Sequence, residues 1–298
     1  MGPRLPLLAL SLALPPPWLL ADGGSEELGE LTSWLTEGGA DLSAVTVGAG
    51  VSGERGVLTT RALAAGDVIL RVPVPKAINV GPMSVTASEA AVKLLREQHK
   101  RRGTRLPYVR SLPIHCHALD TWPEPAMAAL PGPLRQASVE SRQWTRRVYE
   151  ESVRGKERLF GGHAVTLEEF AHATCLVSSR TLGVANSNGD TVKFLIPFLD
   201  LVNHDRAKGS ANQVRLAAKP GEEERGPAFI ELVAGAGLEA GAEVFISYGD
   251  GQLLTPDETL AHYGFVEDFA PSLCTLDRSE TELQVRTKRN SCAETVEP

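Results

Sequence analysis

Two groups of short β-forming segments, separated by a long stretch of helical texture, constrain this chain more than any other feature. On the N-terminal side, RGVLTTRALAAGDVILRVP at residues 55–73 reads as two β-segments, Val57 to Thr60 and Val68 to Val72. A turn at Ala65-Gly66-Asp67 divides them, and together they read as one small β-unit. From about residue 84 to residue 185 the pattern becomes helical, through ASEAAVKLLREQHKRRG, PLRQASVESRQWTRRVYEESVRGKERL and TLEEFAHATCLVSSRTL. TVKFLIPFLDLV, NQVRLAA, PAFIELVA and AEVFISYG then return to β-rich runs broken by Gly, Asn, Pro and charged turns. Strands this far apart in sequence have to complete one β-structure around the inserted helices, which gives a single α+β domain.

Local signals mark where elements start and stop. Leu28, Leu31, Trp34 and Leu35 recur at helical spacing before Gly38-Gly39, a stop signal. Thr166 with Glu169, and Thr255 with Glu258, have capping-box spacing, and Pro256 occupies the first helical position after Thr255. Residues 25–275 are expected to form the domain, with 276–298 as a short, weakly packed tail. Residues 1–24 read equally as a cleavable presequence or as a disordered extension. Their leucine-rich part, Leu5 to Leu20, is too short and too broken by Pro6 and Pro15-Pro16-Pro17 to span a bilayer as a helix. The compartment stays open.

Composition removes several function classes. A formal net charge of −7 argues against the broad basic footprint of a nucleic-acid binder. The basic run Lys100-Arg101-Arg102 with Arg105 ends a helical stretch, where cations complement the helix dipole. The cysteines at 116, 175, 274 and 292 lack CxxC spacing and the density of a disulfide scaffold, so redox and zinc-cluster readings have no support. His115-Cys116-His117 are sequence neighbours, which rarely converge on one ion, and no structural metal is expected. A monomer is expected.

The segment IPFLDLVNHD, residues 196–205, places Asn203, His204 and Asp205 directly against an apolar run. Read as the end of a buried strand, it poses a physical problem, because an unpartnered buried polar group costs about 1–3 kcal/mol. These residues need either a satisfied network or a ligand.

GERGVLTTRALAAGDVILRVP, SSRTLG, IPFLDLVNHD, AGAEVFISYG and HYGFV occur in the order of the motifs of SET-domain methyltransferases, and the chain resembles the non-histone branch typified by the Rubisco large-subunit lysine methyltransferase over roughly residues 27–275. The resemblance implies small β-sheets, a helical insert, and a knot-like threading of the Asn203-His204 segment through a loop closed by the C-terminal stretch. It implies S-adenosylmethionine as cofactor and a protein lysine as substrate, with protein-histidine methylation or a catalytically inactive protein-binding SET module as alternatives. By the same resemblance, Gly53, Glu54, Arg55, Arg180, Asn203, His204 and Tyr248 bind the cofactor, and Arg180, Asp200, Tyr248 and Tyr263 face the substrate. Tyr248 is the catalytic residue in that scheme. Its role is to orient the amine and stabilise it electrostatically rather than to act as a base, since an ordinary phenol titrates near pH 10.

Overall fold

The computed structural model describes residues 25–266 apart from 101, 186–188, 220, 222–223, 225 and 250–253. The N-terminal extension and the C-terminal tail lie outside the described residues. The chain opens with α1 (Ser25–Glu37), which buries Leu31 and Leu35 as their spacing requires and is followed by Gly39 at φ 90°. Strands β1 (Val45–Ala49), β2 (Arg55–Thr59), β3 (Val68–Pro73) and β4 (Ile78–Pro82) follow.

The insert then supplies α2 (Ala87–Gln98), α3 (Leu106–Ser111), α4 (Glu124–Ala128), α5 (Gly132–Ser152) and α6 (Leu167–Arg180). The return to β-structure comprises β5 (Thr181–Ala185), β6 (Thr191–Leu195), β7 (Asn203–His204), the short helix α7 (Arg206–Gly209), β8 (Gln213–Ala218), β9 (Pro227–Val233) and β10 (Glu243–Ile246). Helix α8 (Pro256–Tyr263) closes the described part. Both capping boxes read from sequence are formed, Thr166 with Glu169 on α6 and Thr255 with Glu258 on α8.

Among the described residues, three small sheets carry the fold, in the orders β1-β2-β10-β7, β3-β9-β8 and β4-β6-β5. Each joins strands from before and after the insert: Val57 pairs with Val244, Val72 with Ile230, and Ile78 with Leu195. The expected β-unit of residues 55–73 does not form. β2 and β3 pair with β10 and β9 in different sheets, because each finds its hydrophobic partner far along the chain rather than across the intervening turn. Among the described residues no helix is long and apolar enough to cross a membrane.

Two further expectations are corrected. The apolar run before Asn203 is not a continuous strand: β6 ends at Leu195, and Phe198 takes φ 68° and ψ −38° before a 3-10 turn at Leu199–Leu201. A positive φ at a bulky, buried side chain is sterically costly and persists only where the surroundings impose it. The kink turns Asp200 inward. Secondly, Cys116 and Cys175 form a disulfide with Cα atoms 6.2 Å apart, tying the loop after α3 to the middle of α6. Spacing along the chain carried no trace of it because the bridge spans 59 residues.

Candidate active site

β10 is the element on which the site is built. On one side it pairs antiparallel with β2; on the other it runs parallel to β7, Phe245 opposite Asn203 and Ile246 opposite His204. The C-terminal stretch expected to close a loop over β7 continues past residue 266 and lies outside the described residues. The polar residues that follow the apolar run are thus flanked by strand backbone, and each has a distinct partner set.

Asn203 donates through Nδ2 to the Arg55 carbonyl at 2.9 Å and to Glu243 Oε1 at 2.9 Å. Two acceptors fix the orientation of the amide, since only its nitrogen donates. Both N–H groups are thereby used within the protein, and what the side chain has left to offer is the Oδ1 acceptor. Glu243, buried at the start of β10, accepts the Val51 N–H with its other oxygen at 2.7 Å. One carboxylate therefore joins Asn203 to the turn before β2.

That turn is closed by Gly53 N–H donating to the Gly50 carbonyl at 3.0 Å and Gly50 N–H to the Glu54 carbonyl at 2.7 Å. Gly53, at φ 81°, and Glu54 stand exposed at its tip and connect to the site through Arg55. A Cβ at Gly56 would lie 2.4 Å from Glu243 Oε1, so the carboxylate occupies the space that a side chain there would fill.

His204 Nδ1 stands 2.9 Å from the Tyr248 backbone N–H, which it accepts when unprotonated, and 3.2 Å from the Ile246 carbonyl, to which it donates when protonated. Asp205 has a local task. It caps α7, accepting the Lys208 N–H at 2.9 Å.

The Tyr248 hydroxyl donates to the Val202 carbonyl at 2.9 Å. Burial, the largest cause, pushes this phenol up to about 12, with Arg180 opposing and Asp200 reinforcing, so it stays neutral at physiological pH. Its ring lies 4.7 Å from Tyr263 and 5.0 Å from His204, centroid to centroid. Tyr263 reaches this position at the end of α8, which stops at Gly264 in the left-handed region.

Arg180, Asp200, Val202, Tyr248 and Tyr263 line one small pocket. Arg180 donates to the Asp200 backbone carbonyl at 3.0 Å and stands 3.9 Å from its carboxylate, where the sequence resemblance implied cofactor and substrate contacts. Asp200 is buried; Oδ2 accepts the Tyr108 hydroxyl at 3.0 Å, while Oδ1 has no hydrogen-bond partner among the described residues. Burial raises its pKa, opposed by Arg180 and by the Tyr108 hydrogen bond.

The residues expected from sequence thus fall into two connected groups that meet at β7 and β10: Gly53, Glu54, Arg55 and Asn203 on one side, and Arg180, Asp200, His204, Tyr248 and Tyr263 on the other. Glu243 and Tyr108 were not among them. The available signal for Glu243 was a lone carboxylate at the head of the apolar strand segment VFI. For Tyr108 the sequence offers none, because α3 and Asp200 meet only in the folded chain.

No protein-family model matches the chain, and no curated protein is found similar to it. Solved structures do match. The SET domain of LSMT bound to lysine and AdoHcy aligns with a TM-score of 0.69 and 22% identity over 82% of this chain and 58% of that one. Rubisco LSMT bound to AdoMet aligns with a TM-score of 0.65 and 22% identity over 82% and 57%. The fold is that of a SET domain, as its motif order implied. The chain spans a little under three fifths of the length of these structures.

Proposed function

We propose that this chain is an S-adenosylmethionine-dependent protein-lysine N-methyltransferase, with Tyr248 as its catalytic residue. The observation that carries the reading is the Tyr248 hydroxyl, neutral and half-buried in the pocket with its proton directed to the Val202 carbonyl. A phenol held this way keeps its oxygen lone pairs for an incoming N–H.

The cofactor fits the other side of β7. With both amide N–H groups directed to Arg55 and Glu243, Asn203 presents an acceptor, which suits an α-ammonium group. His204, Arg55 and the Gly53-Glu54 turn adjoin it and would hold the remainder. When bound, S-adenosylmethionine supplies an electrophilic methyl group on a sulfonium.

A lysine ammonium ordinarily titrates near pH 10.4 and has to lose its proton before it can attack. Entry into the pocket beside the Tyr248 and Tyr263 rings strips it of water, which favours the neutral amine, its proton passing to bulk water. Tyr248 Oη offers an acceptor to a substrate N–H, which helps to aim the nitrogen lone pair, and alignment of this kind supplies much of the rate in a displacement. Arg180 holds Asp200 in register through its backbone carbonyl.

The test is transfer of labelled methyl groups from S-adenosylmethionine to proteins of a cell extract, followed by acid hydrolysis and amino-acid analysis. Methyllysine that disappears with Tyr248→Phe supports the proposal. Methylhistidine would replace the substrate class, and no transfer by protein that binds the cofactor would make the chain a binding module.

A further inference from the structure

A second cluster of chemistry-bearing side chains lies within the helical insert and shares no residue with the pocket at Tyr248. Helix α2 is capped at its C-terminal end by His99. A Cβ on Gly161 would come within 2.5 Å of the His99 carbonyl oxygen, so the loop before α6 approaches the end of α2 this closely only because residue 161 has no side chain. The approach stacks the His163 imidazole on that of His99, with centroids 4.0 Å apart and planes 14° from parallel.

Glu169, in the first turn of α6, completes the group. Its Oε2 accepts the Thr166 N–H at 2.7 Å as part of the cap, which fixes the carboxylate and turns Oε1 to His163 Nε2 at 2.9 Å. Each of the three side chains offers an atom able to bind a metal, and these atoms lie within 4.8 Å of one another. His99 Nε2 is buried with no hydrogen-bond partner among the described residues, an arrangement for which the fold alone gives no reason.

We propose that His99, His163 and Glu169 form a binding site for a divalent transition-metal ion of the zinc type. Two imidazoles and a carboxylate, with water in the fourth position, are a donor set suited to zinc rather than to calcium or magnesium, which take oxygen ligands. Bonds of about 2.1 Å in a tetrahedron place ligand atoms about 3.4 Å apart, so separations of up to 4.8 Å close by at most about 1.4 Å on binding while the 2.9 Å His163–Glu169 pair opens slightly. His163 makes that movement: its imidazole turns out of the stack, its side chain is 43% exposed, and it follows Gly161 and Gly162 at φ 65° and 94°. The cap on α6 acts as outer support that orients the carboxylate ligand. The ion clamps the C-terminal end of α2 to the N-terminal end of α6.

The experiment is calorimetric titration of the chelator-treated full chain with zinc chloride, with zinc content measured after desalting and Tm followed in parallel. The proposal expects one zinc per chain and a higher Tm in its presence. His163→Ala should weaken binding at least about tenfold and remove the Tm increase, because a three-ligand site loses a protein ligand. Glu169→Gln should weaken it as well while keeping the helix start, since glutamine also completes a capping box. A His115→Ala, His117→Ala double variant should bind as the parent does. Folded parent protein that retains no zinc overturns the site, as does undiminished binding in both His163→Ala and Glu169→Gln.

Discussion

Glu243 Oε1 accepts a hydrogen bond from Asn203 Nδ2 at 2.9 Å, across 40 residues of sequence, and makes the two sides of the candidate cofactor site one unit. Oε2 of the same carboxylate holds the Val51 N–H, so the turn before β2 and the β7 segment rest on a single buried side chain.

Replacing Glu243 by Gln leaves one acceptor where two donors need one each. Stability should fall by about 1–2 kcal/mol, since an unmet buried donor costs at least that. Affinity for S-adenosylhomocysteine should fall about tenfold, equivalent to about 1.4 kcal/mol. Gly56→Ala isolates the geometric part, because its Cβ would meet Glu243 Oε1 at 2.4 Å and Asn203 Nδ2 at 3.3 Å. Calorimetry on both variants checks this, and parent-like affinity in both would remove Glu243 from the site.

Tyr248→Phe should lower kcat about 100-fold, or about 2.7 kcal/mol of transition-state stabilisation, with cofactor affinity within about twofold of the parent. The rising limb of the rate against pH should keep its position in the variant, because a phenol at about 12 is not the group that titrates there. A displaced limb would make Tyr248 a base after all.

Asp200 leaves a signature in stability against pH. Its folded pKa lies above the ordinary 3.8, so between 3.8 and the raised value the folded state holds more protons than the unfolded chain. Stability contributed by this group is therefore greatest below pH 3.8 and is lost as pH rises through the folded pKa. Asp200→Asn carries no such loss, and its stability relative to the parent should climb with pH over that window. Parallel urea-unfolding profiles across the acid range would contradict the burial of an ionisable carboxylate at this point.

The Cys116–Cys175 bridge closes a long loop, and reduction or Cys175→Ser should cost about 2–4 kcal/mol. Urea unfolding with and without reductant measures it. Superimposable curves would mean that the bridge contributes nothing to stability.

What could be read from the sequence follows the range of each interaction. Helix α1, the caps at Thr166 and Thr255, and β3 were legible because apolar spacing and capping chemistry act within a few residues. The SET fold was legible as ordered motifs, which resemblance carries and periodicity does not. Pairings such as Val57 with Val244 could not be read locally, so β2 and β3 looked like one unit. Phe198 at φ 68° has no local signal either; a bulky residue is the last expected there, and only the packed surroundings impose it. Tyr108 with Asp200, and His99 with His163, meet for the same non-local reason.

The proposed cofactor site on β7 and β10 turns on Asn203. Calorimetric titration of residues 25–298 with S-adenosylmethionine and S-adenosylhomocysteine, beside Asn203→Ala, tests it most directly. Both should bind at micromolar strength, about −8 kcal/mol, with a loss of at least about tenfold in the variant. No heat of binding from demonstrably folded parent protein, or equal affinity in Asn203→Ala, would contradict it.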